Sequence, residues 1–261
     1  MSLFHRHTAE GTPVQRGTLF MLARYMELPF LRISYALLRG RLKFIGRTRV
    51  FREIAGRIIY RPIATIGDRA RAVPFEALIN HIDSVEGEIA VGSCRCRATN
   101  HACDHPLETD IVIRTGYEAF TSAFPRNYRR IDRAEAKRIV TECHSLGMFH
   151  MVFYHCPATG CAEYAICNCC TCGCTIHMIN RDLGDEMFPM FEPHWAAVTD
   201  PGKCDGSADC VAVCPFGART VADGKSVTSG CVGCGLCVAA CPREAITMKP
   251  LHTHSHGESH I

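Results

Sequence analysis

Two stretches of this 261-residue chain repeat each other at a fixed offset, and that repeat constrains the fold more than any other feature. "KCDGSADCVAVCP" (203–215) lies over "GCVGCGLCVAACP" (230–242) with a shift of 27 residues. Cys204 falls on Cys231, Cys210 on Cys237, Cys214 on Cys241 and Pro215 on Pro242. Beyond the cysteines, Ala218 falls on Ala245 and Thr220 on Thr247. A constant period over this many landmarks signals two copies of one small structural unit. The copies differ at one telling place, where Ser207 stands opposite Cys234.

The second copy reads Cys-x2-Cys-x2-Cys-x3-Cys-Pro. With its partner it resembles a bacterial-type ferredoxin carrying two four-iron clusters, over residues 195–250. The resemblance implies a (βαβ)2 unit in which three thiolates of one run hold a cluster and the fourth reaches across to the other. It implies that Cys231, Cys234, Cys237 and Cys214 form a complete [4Fe-4S] ligand set. Cys204, Cys210 and Cys241 form the second set, with Ser207 in the missing place. Three readings of that second site stay open: a [3Fe-4S] cluster, a [4Fe-4S] cluster with one iron on the Ser207 oxygen or on water, or no cluster. A thiolate suits iron–sulfur clusters better than an alkoxide, so Ser207 should loosen one iron corner or tune its potential.

Eighteen cysteines are a heavy load. No signal peptide is visible, since "TLFMLARYMELPF" is broken by Arg24, Glu27 and Pro29. The longest uncharged run, 143–162, holds three histidines and Pro157 and makes no convincing membrane helix. The expected compartment is therefore cytoplasmic and reducing, where dense cysteine means metal or redox chemistry rather than disulfides.

Before the repeat, residues 73–190 read as a cysteine-rich α/β unit, so the whole chain is expected to be α+β or α/β. Residues 74–85 and 132–147 have helical periodicity, the latter with Asp132 and Glu135 as a capping box and Cys143 on the apolar face. Residues 88–92, 110–116 and 148–156 read as strands. Two clusters of cysteine sit among them: Cys94, Cys96 and Cys103, then Cys167, Cys169, Cys170, Cys172 and Cys174. Thiolates this close repel one another, so a shared cation must neutralise them. These eight positions fit one iron–sulfur cluster with spares or two clusters, with zinc as the alternative. Adjacent Cys169 and Cys170 are not expected to bind the same iron. Cys156 and Cys161 are weaker candidates, and His101, His105 and His155 read either as ligands, as general acids or as hydrogen-bonded structural histidines. The combination of "SCRCR", "CDHPLE" and "CNCC" with a dicluster repeat loosely resembles iron–sulfur proteins of anaerobic bacteria.

Charge is unevenly spread. Residues 1–72 hold fourteen Lys and Arg against four Asp and Glu, a charge of +10, and the remainder carries −7, giving the net +3. This basic, helical region, with Arg24, Arg32 and Arg39 on one face, is expected either to pack on the rest of the chain or to dock on an acidic partner or membrane surface. No nucleic-acid reader motif accompanies it. Residues 191–250 are the ferredoxin-type domain, and 251–261 form a disordered tail whose His252, His254, His256 and His260 are weak metal candidates. No GxGxxG or P-loop is present. The expected function is electron transfer with a partner oxidoreductase complex rather than free-standing catalysis. The rivals are a reductase with a catalytic cluster in the middle unit, and an assembly or metal-delivery protein.

Overall fold

The computed structural model describes residues 12–63, 68–155 and 162–251. Cys156, Cys161 and the histidines of the tail lie outside the described residues. A six-stranded sheet forms the centre: β1 (Asp68–Val73), β2 (Ile89–Ser93), β3 (Glu108–Ile113), β4 (Tyr128–Ile131), β5 (Phe149–His155) and β6 (Ala162–Cys169). Their order is β1-β5-β6-β3-β2-β4, and every neighbouring pair is antiparallel. The period of two sends alternate side chains to opposite faces. Phe149, Met151 and Phe153 enter one core while Val152 and Tyr154 enter the other.

Helices cover both faces. On one lie α5 (Phe75–Ser84), with Leu78 and Ile82 one turn apart, and α8 (Arg133–Ser145), with Ala136, Ile139, Val140 and Cys143 along its buried stripe. The N-cap Asp132 accepts from the Glu135 N–H at 2.7 Å, but the Glu135 carboxylate pairs with Arg129 instead of closing the box. On the other face lie α7 (Thr115–Ala123), α9 (Thr175–Leu183) and the N-terminal α1 (Pro13–Met21) and α2 (Glu27–Leu38). Thr12 and Gln15 form a capping box at the start of α1, with Pro13 in the first turn. A π-helical turn, Leu22–Met26, joins α1 to α2 in one continuous helical run, and Pro29, which cannot donate to the helix ladder, is the third residue of α2. Further helices are α3 (Lys43–Gly46), α4 (Arg49–Ala55) and α6 (Arg95–Asn100).

The middle unit mixes helix and strand, and its central sheet is antiparallel throughout. β1, placed by sequence within the N-terminal region, pairs with β5 along its whole length, because its alternation of Arg and Ala gave no strand signal. Cys167 and Cys169 stand on the second half of β6. The N-terminal arginines are also partly committed: Arg39 pairs with Asp182 at 2.5 Å and Arg24 reaches the Ala123 carbonyl at 3.5 Å, while Arg32 is exposed.

The C-terminal repeat folds as β7 (Trp195–Thr199), α10 (Asp209–Ala212), β8 (Arg219–Ala222), β9 (Lys225–Thr228), α11 (Leu236–Ala239) and β10 (Ile246–Pro250). β7 pairs with β10 and β8 with β9, both antiparallel. The backbone repeats with the sequence: α11 begins 27 residues after α10, and the left-handed residues Gly206 and Ala208 recur as Gly233 and Gly235. At Gly233 this is obligatory, since a Cβ would meet the Trp195 carbonyl oxygen at 2.7 Å.

Candidate metal centres

The repeat brings its cysteines together in crossed sets. Cys204, Ser207, Cys210 and Cys241 border one small cavity. On the other side Cys214 and Cys231 lie near both Cys234 and Cys237, and burial first, then its thiol neighbours Cys237, Cys214 and Cys231, push Cys234 up to about 12. Backbone N–H groups point at the sulfurs: Ala218 to Cys214 at 3.3 Å, Ala245 to Cys241 at 3.4 Å and Ser226 to Cys204 at 3.4 Å. Such donors stabilise thiolate and fit the residues to a cluster. The two corners at the point of difference are unlike in exposure as well as in atom type, for Cys234 is buried and Ser207 is exposed. Between the sets lies Arg219, buried, donating to Ser226 Oγ at 3.0 Å and to Cys237 Sγ at 3.6 Å.

Residues 196–242 match a family model described as a 4Fe-4S dicluster domain. No curated protein and no solved structure matches the chain. The match covers the repeat alone, and the iron–sulfur character it gives to this part of the chain suggests electron transfer.

The eight cysteines of the middle unit do not form one group. Strand alternation turns Cys167 and Cys169 toward the face covered by α1, α2, α7 and α9, and the chain then leaves the strand so that Cys170 enters the opposite core. Cys169 and Cys170 thus enter different cores. On the first face Cys94, Cys96, Cys174, Cys169 and Cys167 lie close enough together to shift one another's ionisation. They border a cavity of about 200 Å³ shared with apolar residues of the N-terminal helices, among them Leu22, Met26 and Phe30. Hydrogen bonds from Cys169 and Cys96 outweigh burial and bring Cys174 down to about 5. Cys167 first, then Cys174 and burial, hold Cys169 well above its ordinary value, and Cys96 and burial do so for Cys94. Cys167 is lowered by its bond to Cys169, but burial and Asp110 raise it to about 11. One thiolate suppresses the ionisation of its neighbours, so only a shared cation lets all five ionise. The donor set and the mainly apolar wall of the cavity fit an iron–sulfur cluster.

On the opposite face Cys103, Cys170, Cys172 and His105 have their ligand atoms all within 4.8 Å of one another. Burial opposes the Cys103 thiolate, but hydrogen bonds from His105 and Cys172 prevail and lower it to about 7. Arg97 separates the two thiol sets. It is fully buried, donates to the carbonyls of Asn168 (2.8 Å) and Pro106 (3.1 Å) and to Thr109 Oγ1, and has Cys94, Cys169 and Cys170 around it.

Sequence reasoning singled out every one of these cysteines but not their partition, nor Arg97 and Arg219. Of the three histidines weighed, His105 alone joins a thiol group; His155 meets Thr18 at 2.9 Å and His101 is exposed in a left-handed cap. The signal for the partition was present in the parity of positions 167, 169 and 170, once 162–169 is read as a strand. The N-terminal roof over the five thiols had no signal, because nothing local says which surface an amphipathic helix covers.

Proposed function

We propose that this protein is an iron–sulfur electron carrier with centres in both units, serving a partner oxidoreductase. The observation that carries the reading is the contact between the units. The Cys174 sulfur accepts from the His177 N–H at 3.5 Å, and the His177 ring Nε2 donates to the Pro215 carbonyl at 2.7 Å. Pro215 follows Cys214, so one residue spans from the five-thiol set to the complete set of the repeat. Phe216 seals the junction against Phe149, His177 and Phe191, with ring centroids 5.2–5.3 Å apart. When bound, the clusters supply one-electron chemistry; the chain's part is to hold, bury and space them.

Anaerobically purified protein titrated with a reductant and followed by EPR is expected to show centres beyond the two of the repeat. His177→Ala is expected to keep the iron content yet slow redox equilibration between the units in stopped-flow reduction. Iron confined to the repeat, or equilibration unaffected by the substitution, would end the relay reading. A second reading, an iron–sulfur reductase, is favoured by the cavity over the five thiols. Turnover of a small apolar acceptor by the isolated protein with a chemical reductant would establish it.

The partner side of the proposal is a peripheral site on an anionic membrane surface. Among the described residues no helix is long and apolar enough to cross a membrane. On and around α3 and α4, however, Phe44, Val50, Ile54 and Ile58 are exposed between exposed Arg41, Lys43, Arg47 and Arg57. Beside them Arg39, Arg47, Arg52 and Arg181 border one pocket with Asp182 as its single carboxylate. Apolar insertion next to a surplus of exposed cations suits anionic headgroups.

A further inference from the structure

We propose that Cys103, His105, Cys170 and Cys172 form a mononuclear zinc site, separate from the iron–sulfur chemistry of the other face. A tetrahedral ion with zinc–sulfur bonds of about 2.3 Å and a zinc–nitrogen bond of about 2.0 Å places two sulfurs about 3.8 Å apart, and sulfur and nitrogen about 3.5 Å apart. The Cys103 and Cys170 sulfurs are 3.7 Å apart, and the Cys172 sulfur lies 3.5 Å from His105 Nδ1. Ligands this close share one ion. A four-iron cubane spreads its thiolates over four different irons and needs them farther apart.

Three further observations agree. The donor set is three thiolates and one imidazole, a combination that tetrahedral structural zinc takes readily. The ligands arrive as two short pairs, Cys103-x-His105 and Cys170-x-Cys172, from loops that meet across the end of the sheet. Gly173 leaves the room: a Cβ there would stand 3.3 and 3.4 Å from the Cys103 and Cys170 sulfurs and 2.8 Å from Arg97 Cγ. The role that follows is mechanical. Zinc has no redox chemistry, so it pins the 101–107 loop to the 170–174 turn. Those same segments carry Arg97's carbonyl partner Pro106 and the five-set ligand Cys174. The proposal stands whether or not the five-thiol set takes iron.

The test uses full-length protein, purified anaerobically and dialysed against a weak chelator, with metal analysis and zinc-edge X-ray absorption. About one zinc per chain is expected, with a shell of three sulfurs and one nitrogen. Cys172→Ser should lose that zinc with the iron content and EPR signals kept, and His105→Cys should retain zinc with a four-sulfur shell. Gly173→Ala should lose most of the zinc. Wild-type protein without zinc, zinc held only by nitrogen and oxygen, or loss of iron with retention of zinc in Cys172→Ser would overturn the proposal. Should Cys172→Ser fail to fold, the wild-type shell decides alone, for four sulfurs there would also overturn it.

Discussion

Ser207 shows how much one atom can change at the scale of a residue. Its backbone N–H donates to the Asp205 carboxylate at 3.1 Å, which holds the 204–207 turn in place without the missing sulfur. The turn is therefore preserved while the corner it presents is both oxygen-bearing and open to water. We expect wild-type protein to give a three-iron EPR signal, or to lose one iron on mild oxidation, and Ser207→Cys to add one stable iron per chain and abolish that signal. Identical iron content and spectra in the two proteins would dispose of the idea. A second residue-scale expectation concerns His150, fully buried on β5. Asn168 Nδ2 donates to the Thr109 carbonyl, so Asn168 Oδ1 faces His150 and His150 Nδ1 carries the proton, at 2.7 Å. Burial lowers His150 to about 4. The unfolded chain, titrating near 6.5, binds the proton first, so this group's stabilising term is complete above pH 6.5 and is lost as the pH falls from there toward 4. At pH 5 the loss is about 2 kcal/mol. Urea denaturation at pH 7.5 and pH 5 should show a smaller drop for His150→Gln than for wild type; equal drops would contradict this assignment.

At the scale of elements, the sheet works as a partition. β6 sends Cys167 and Cys169 to one side, and the residue that follows it sends Cys170 to the other, with Arg97 set between. The partition depends on α7 lying hard against β6: a Cβ on Gly116 would overlap the Tyr164 carbonyl oxygen at 1.8 Å. Gly116→Ala is expected to cost about 3 kcal/mol or more, since a packed backbone contact must open, and to lower the thermal midpoint accordingly. A variant as stable as wild type would show that α7 shifts freely. Element-level structure was legible where periodicity was clean. α5, α8, β2 and β5 lie within a few residues of their expected bounds, and Cys143 is on the buried stripe of α8. It was illegible where cysteine chemistry overrode pattern, as in β6, and where arginine sat on a buried strand, as in β1. Arg71 is buried there because Tyr154 lies under its guanidinium at 4.4 Å, a contact no local sequence announces. The repeat was legible in full outline because spacing, glycine placement and fold are the same information twice.

For the whole molecule, the basic N-terminal region is divided between packing and display. Arg24 and Arg39 hold the helices to the body, so reversing their charge tests folding and not docking. The displayed set is Arg41, Lys43, Arg47 and Arg57 with Phe44 and Ile58. Wild-type protein is expected to co-sediment with vesicles containing anionic lipid and not with neutral ones, more strongly at low salt. Phe44→Ser with Ile58→Ser should lower the bound fraction several-fold without changing the thermal midpoint. Equal binding to neutral vesicles, or none to either, would remove the membrane from the proposal. The crossed geometry of the thiol sets also dictates how the chain is made. Cys94 and Cys96 meet their companions only at 167–174, and Cys204 and Cys210 wait for Cys241. At roughly 5–20 residues per second, the first pair emerges from the ribosome several seconds before its site can close. During that interval the sulfurs have no fold to hide them, so a brief oxidant pulse during synthesis should do damage that the finished protein resists.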